Sequence, residues 1–313
     1  MLETLLQLLW SSDLIYATLR LTTPLLFAAL GGLMCERAGV LNIGLEGLML
    51  GGALTAYLVA LKTGSPWLGL LAGALAGLVT ALLFAVVAVT FRANQIVSAV
   101  GLNILMLGLT GVALRAVVGL SSGQNAAPTI PIWNIPGLGD LPGLGPVLFR
   151  HLPLVYLVFI LVGVVAFIFY RTTWGLAIRA VGEHPRAAET VGINVIQVRY
   201  LTLLWSGFMA GVGGALLSVG YLNTFQEGMT AGRGFIAFSA IIFGRWTPLG
   251  TMLASLLFGF ADALQLRIQA FGAPIPYQFL VMLPYVVTLL ALFGAGRSQS
   301  PAASGAPYAP GEA

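Results

Sequence analysis

Long apolar runs alternate with short polar breaks along this chain. Leu152 to Tyr170 and Tyr200 to Gln226 carry no charged residue, and Thr63–Phe91 and Ile268–Gly296 are each 29 residues without one. About 20 apolar residues in a helix cross a hydrocarbon core ~30 Å thick, so such runs are long enough to span. They lack the alternation of apolar and polar positions that a membrane β-barrel requires. The pattern predicts an all-α polytopic membrane protein with about nine transmembrane segments. They fall near 15–35, 42–61, 67–90, 96–118, 153–170, 200–220, 228–244, 249–268 and 276–294. The seventh is short, contains Arg233 and is interrupted by glycines. It reads as a half-helix with an irregular entry, a shape tolerated at membrane depth only inside protein or beside a water-filled cavity.

Composition sharpens this picture. The chain is 58% hydrophobic and 8% charged, against about 25% charged in soluble domains, which excludes a soluble globular fold. Its 40 glycines suit helices that pack backbone to backbone in lipid. Gly51-Gly52-Ala53-Leu54 recurs as Gly213-Gly214-Ala215-Leu216, a faint internal echo. The net charge of +4 is spread over loops and gives no nucleic-acid reading. Cys35 is the single cysteine, so no intrachain disulfide forms. Met1 to Trp10 has Glu3 and no basic residue, so no cleaved signal peptide is expected.

The polar breaks are unequal. The densest is Arg171 to Arg199, with Arg171, Arg179, Arg186 and Arg199, two glutamates (Glu183, Glu189) and His184. Within it, Pro185 suits the first turn of a helix, Gly192 suits a left-handed stop and Asn194 can cap the next helix. A helix of about two turns is too short to be stable alone, so neighbours or a partner must hold it. It can be a coupling helix seated on another subunit or an amphipathic helix lying on the membrane. Placing 171–199 in the cytoplasm puts Arg37, Arg92, Arg245 and Arg297 inside as well, with the N-terminus outside. The outer loop 119–150 is rich in Pro and Gly and cannot be a membrane helix. The tail, 298–313, is Ser/Pro/Ala/Gly-rich and expected to be a disordered cytoplasmic segment.

Chemistry-bearing motifs are sparse. The single lysine, Lys62, follows Leu61 rather than Gly, so there is no Walker A loop. The ten acids and two histidines show no metal-ligand spacing, and no nucleophile elbow is present. No catalytic and no metal-binding residue is assigned.

Four segments carry a family resemblance. Arg179-Ala-Val-Gly-Glu183-His-Pro-Arg-Ala-Ala-Glu-Thr-Val-Gly192-Ile-Asn194 resembles the cytoplasmic signature of ABC-importer permeases of the branched-chain amino acid, ribose and nucleoside group. Cys35-Glu-Arg-Ala-Gly-Val-Leu-Asn-Ile-Gly-Leu-Glu-Gly47, Asn94-Gln-Ile-Val97 with Gly101-Leu-Asn103, and Gly259-Phe-Ala-Asp-Ala-Leu-Gln265 also match. The second and fourth segments look most like the nucleoside branch. Sugar permeases of the group usually carry a Gly-Ile-Asp-Leu-Ser-Val-Gly-like stretch where this chain has Gly39-Val-Leu-Asn-Ile-Gly44, and often an extra first helix.

The resemblance implies a permease domain over 1–297 in the cell (plasma or inner) membrane. It implies a nucleoside or purine importer working by alternating access. Its partners would be a separate ATPase subunit that uses ATP and Mg, a second permease subunit (a paralogue), and a substrate-binding lipoprotein. No cofactor is expected on this chain itself. Arg179, Glu183, Pro185, Arg186, Ala187, Ala188, Glu189 and Gly192 would form the ATPase-coupling surface. The alternatives are a permease for simple sugars or branched-chain amino acids, an ion-coupled secondary transporter using Glu46 and Asp262, and a membrane scaffold.

Polar residues inside the spans complete the expectations. Ionisable groups there usually face the bundle interior or a water path. Asn42, Glu46, Asn103, Asp262 and Gln265 are the substrate-pathway candidates. Asp262, Gln265 and Gln269 stand at i, i+3 and i+7 and share one helix face. That stripe can line a path, or Asp262 can clamp helices through Arg115 or Arg267. Asn42 and Glu46 follow Gly39 and Gly44, where the second span can begin as a broken helix. Trp205, Phe208 and Tyr221 could stack on a base, but aromatic residues near span ends are more often interface anchors.

Overall fold

The computed structural model describes residues 12–119, 126–137, 139, 145–270 and 300–309, with positions 278, 279, 282 and 286. Among these, seven helices are long and apolar enough to cross a membrane: α1 Ser12–Arg37, α2 Leu45–Thr63, α3 Pro66–Ala85, α4 Gln95–Val118, α6 Pro153–Arg171, α9 Val195–Ala215 and α11 Pro248–Ala270. α3 runs on as a π-helical turn, Val86–Thr90, and α9 as another, Leu216–Leu222. The shorter helices are α5 Gly145–Leu148, α7 Thr173–Glu183, α8 Pro185–Thr190 and α10 Arg233–Phe243. The expected ninth segment, 276–294, lies almost wholly outside the described residues.

The span starts follow local sequence. Asn94 accepts from the Ile96 and Val97 amides (3.0 and 3.1 Å) and caps α4. Asn194 accepts from the Gln197 amide at 2.9 Å and caps α9. Each satisfies backbone donors that a helix start leaves open.

α1, α2 and α9 form the centre of the bundle, while α4 and α6 turn most of their surface outward. Glycines allow the central helices to touch. A Cβ on Gly52 would meet the Gly211 backbone, and one on Gly214 would overlap the Met49 carbonyl. The repeated tetrads at 51–54 and 213–216 are thus on helices that pack directly on each other. With no hydrophobic driving force between helices in lipid, such close packing supplies the attraction.

Two spans are broken. After α1 the chain runs non-helically from Ala38 to Gly44, so α2 begins at Leu45 rather than near 42. After the π turn of α9, residues 223–232 form bends and turns, and α10 then takes only 11 residues. At 1.5 Å per residue that is about 16 Å, half a membrane. On the side of the bundle holding Arg20 and Arg115, the loop at 126–131 docks on this π turn. Its Ala127 and Ile130 amides donate to the Asn223 and Val219 carbonyls (2.7 and 3.0 Å). A two-stranded ribbon follows, β1 Trp133–Asn134 against β2 Arg150–His151, antiparallel with Trp133 opposite His151.

Candidate functional site

The two breaks meet at Glu46. Its Oε1 accepts from Thr230 Oγ1 (2.6 Å) and the Gly232 amide (2.8 Å), and its Oε2 accepts from the Gly234 amide (2.7 Å). The carboxylate therefore sits on the N-terminus of α10, where open amides and the helix dipole favour negative charge. The backbones touch as well: a Cβ on Gly234 would overlap Glu46 itself.

The other break is held in the same way. Asn103 Oδ1 accepts from the Gly47 amide (2.8 Å) and its Nδ2 donates to the Ile43 carbonyl (3.1 Å). Asn42 is fully buried; its amide donates to Glu36 Oε1 and its Nδ2 to Ser206 Oγ, both at 2.9 Å. The Leu41 amide donates to Gln95 Oε1 at 2.8 Å. Three backbone groups of 38–44, the Leu41 and Asn42 amides and the Ile43 carbonyl, thus find side-chain partners where a helix would have satisfied them. Asn42, Glu46 and Asn103 thus come together as one polar knot. Sequence reading missed Glu36, Gln95, Ser206 and Thr230. Glu36 was visible in the quoted segment that also holds Asn42 and Glu46.

Asp262 and Gln265 are both half-buried on α11. The partners expected for Asp262 are engaged elsewhere. Arg115 forms a two-pronged pair with Glu227 (2.9 and 3.2 Å), and Arg267 reaches Asp13 at 3.2 Å. The arginine whose charge acts on Asp262 is Arg233. Its neighbours Gly232 and Gly234 bind Glu46, while its own guanidinium donates to the Met229 and Thr230 carbonyls. Sequence spacing could not show this, because the turn at 226–232 sets where Arg233 lands.

Arg20 and Tyr221 close on each other nearby. The Tyr221 hydroxyl donates to the Arg20 carbonyl (2.8 Å), and the guanidinium lies 4.7 Å from the ring centroid. They separate two cavities of about 310 and 340 Å3, one lined by Thr129, Ile130 and Ile132 and one reaching Met229 and Arg233. His151 lines the first, stacked on Tyr16 at 4.5 Å with its Nε2 2.7 Å from the Val147 carbonyl. Burial lowers its pKa below 6.5, and Arg20 acts in the same direction. Trp205 and Phe208 stack on each other, 6.5 Å between centroids.

The 171–199 segment is built differently. α7 is capped by Thr172, whose Oγ1 accepts from the Gly175 amide at 3.2 Å. Pro185 opens α8, and Gly192 ends it with a left-handed φ of +88°. Ala188 is buried and pins α8 down. Glu183, Arg186, Ala187, Glu189 and Gly192 are exposed, and Arg179 and Pro185 are half-buried. Arg179 stays local, donating to the Gly175 carbonyl at 3.3 Å. Val191, an apolar residue, is 75% exposed.

Arg37, Arg92 and Arg245 gather at this same end. Arg37 donates to the Trp246 carbonyl at 2.7 Å, and Arg92 lines a groove with His184 and Arg186. Residues 300–309, where composition predicted disorder, pack here too, with Ala303 and Tyr308 buried. Among the described residues no group of three or more His, Cys, Asp or Glu could hold a metal ion.

Seven helices of spanning length, a half-length helix with an irregular entry and an exposed polar segment at one end make this a multi-pass membrane protein. The family model for the branched-chain amino acid transport system permease component matches residues 14–292, and the chain belongs to that family. The chain is 40% identical to the guanosine ABC transporter permease protein NupQ of Bacillus subtilis, over 96% of this chain and 98% of the relative. It is 40% identical to the nucleoside ABC transporter permease protein NupC of Lactococcus lactis, over 97% of each. It is also 40% identical to the putative glucose ABC transporter permease protein TsgC13 of Haloferax volcanii, over 83% of this chain and 79% of the relative. No solved structure matches the chain.

Proposed function

We propose that this chain is a membrane subunit of an ATP-driven importer of nucleosides or related purine compounds. The observation that carries the reading is its 40% identity, over nearly its whole length, to permeases named for guanosine and for nucleosides. In this reading the 171–199 segment faces the cytoplasm and docks on a separate ATPase subunit, which binds ATP and Mg2+. Glu183, Arg186, Ala187 and Glu189 are its contact residues, and Ala188 and Gly192 set the shape of α8. Segment 300–309 lies on the same, cytoplasmic side. A second permease subunit, a paralogue, packs on the outward-facing helices. A substrate-binding lipoprotein delivers from the side of loop 119–150.

The knot around Glu46 is the point about which the two breaks move as the path opens to either side. Such discontinuous helices mark the site in many transporters. The amides of a half-helix commonly take the anionic group of a substrate; here Glu46 already occupies those of α10. A neutral substrate fits this arrangement better than a carboxylate, which favours nucleosides and sugars over amino acids. Asp262 and Gln265 offer polar groups to it.

The second reading is a simple-sugar importer, supported by the equal identity to the putative glucose permease. Uptake of radiolabelled guanosine in cells with and without the gene, competed by unlabelled nucleosides, glucose, ribose and leucine, separates the two. Loss of an uptake that only nucleosides compete supports the proposal. A defect confined to glucose or ribose moves the substrate to sugars and leaves the importer reading in place.

A further inference from the structure

Segment 300–309 lies across the end of the bundle that carries α8. The Ala303 amide donates to the Gly182 carbonyl at 2.9 Å, and the Gly305 amide to the Gly39 carbonyl at 3.1 Å. The Ala302 amide reaches Glu183 Oε2 at 3.3 Å. Gly182 stands at the end of α7, just before α8, and Gly39 opens the non-helical turn into α2. The two are already packed so closely that a Cβ on Gly182 would overlap the Arg37 carbonyl. The segment is therefore a strap across the joint between the exposed polar region and the first break.

Beneath it lies Arg199, only 2% exposed. Its Nη1 donates to the Ala306 carbonyl at 3.0 Å, and its guanidinium is 5.8 Å from the Tyr308 ring. A cation taken out of water needs such partners, and the strap supplies a carbonyl and an aromatic face together. Tyr308 is itself buried; desolvation and the neighbouring Glu189 carboxylate push its phenol up to about 12, so it stays neutral. Gly305 adopts φ +73° beside the Leu41 side chain, a backbone conformation that a β-branched residue rarely takes. Between strap and α8 a cavity of about 660 Å3 opens, with Arg92, His184 and Arg186 on one side and Pro307 and Tyr308 on the other.

We propose that segment 300–309 is a working part of the coupling surface, joining α8 mechanically to the turn at 38–44. A push on α8 passes through Gly182 and the strap to Gly39. From there it reaches Leu41, Asn42 and Ile43, which are bonded to Gln95, Glu36, Ser206 and Asn103. The inference rests on the reading of 171–199 as the ATPase-coupling segment.

The test uses the whole complex, with both permeases and the ATPase, in proteoliposomes. Three variants are compared with wild type: deletion of 300–313, Gly305→Val and Tyr308→Ala. Copurification of the ATPase, ATP hydrolysis and uptake of radiolabelled guanosine are measured, with glucose as probe if that is what the complex carries. The expected result is an assembled complex that still hydrolyses ATP while uptake falls about tenfold, within the usual range of coupling between sites. Uptake at or above the wild-type level in Gly305→Val and Tyr308→Ala overturns the proposal; a rise would make the strap a brake instead. Those two variants decide the matter if the deletion fails to assemble. Arg186→Ala runs alongside: if it uncouples and the strap variants do not, only the strap proposal fails. If Arg186→Ala also behaves as wild type, the coupling assignment itself falls.

Discussion

Glu46 and Glu183 are both acids at interruptions of the helical bundle, and their surroundings differ. Glu46 accepts three hydrogen bonds, two of them from the amides that open α10. Glu183 is exposed and accepts one, from Ala302. The same contrast runs through their neighbours. Asn103 uses its side chain to satisfy broken backbone and Asn42 binds Ser206, whereas Arg186 and Val191 are exposed. Inside a membrane an unpartnered polar group costs several kcal/mol, so polar residues there are spent on the protein's own structure. At the end of the bundle no such constraint acts, and polar side chains remain available to another chain. The comparison teaches that burial and partnering separate residues that hold the shape from residues left open to another chain.

Three substitutions bear on the structural side of this contrast. The largest effect is expected from Glu46→Ala, which leaves the Gly232 and Gly234 amides and the Thr230 hydroxyl without their acceptor. At about 1–3 kcal/mol for each orphaned donor, the loss is roughly 3–9 kcal/mol, a large share of the about 5–15 kcal/mol that stabilises a typical protein. Folded protein recovered from membranes and its aggregation temperature in detergent should both drop sharply. A variant as stable as wild type would show that the knot is not structural. Asn103→Ala removes one acceptor and one donor at the edge of the knot, and should lower stability by about 1–3 kcal/mol in the same assay.

The smallest effect is expected at the two-stranded ribbon that holds His151. The His151 pKa is lowered on folding, from 6.5. The unfolded chain then binds a proton more readily than the folded one, so this contribution is present above pH 6.5 and is lost as pH falls. The aggregation temperature should decline between pH 7 and pH 5, and His151→Phe should flatten that decline. An unchanged slope in the variant would remove His151 as the cause.

Much of this arrangement was legible before the structure. Pro185, Gly192 and Asn194 announce the bounds of α8 and the start of α9 because caps and stops have local chemical requirements. Gly39 and Gly44 announced the broken start of α2, and the glycines and Arg233 of 228–244 the half-helix. The partners were less legible. Arg233 reaches the neighbourhood of Asp262 through a turn whose path no periodicity encodes, so Arg115 and Arg267 were named instead. The 300–309 strap was read as disordered because its composition has no apolar period. It is held largely by backbone amides and carbonyls, which every sequence carries and none advertises. Glu36 was hidden for another reason: beside Arg37 it looks like an end-of-helix charge pair, yet it turns inward to the Asn42 amide.

The central claim is that the exposed face of 171–199 transmits work from an ATPase and does not stabilise the chain. The most direct measurement is ATP hydrolysis and solute uptake, side by side, in proteoliposomes of the full complex carrying Glu183→Ala with Arg186→Ala. Exposed substitutions of this kind change stability by no more than about 0.5 kcal/mol, so the complex should assemble normally. The account predicts that hydrolysis continues while uptake falls to background. Uptake and substrate-stimulated hydrolysis both at wild-type levels would contradict it.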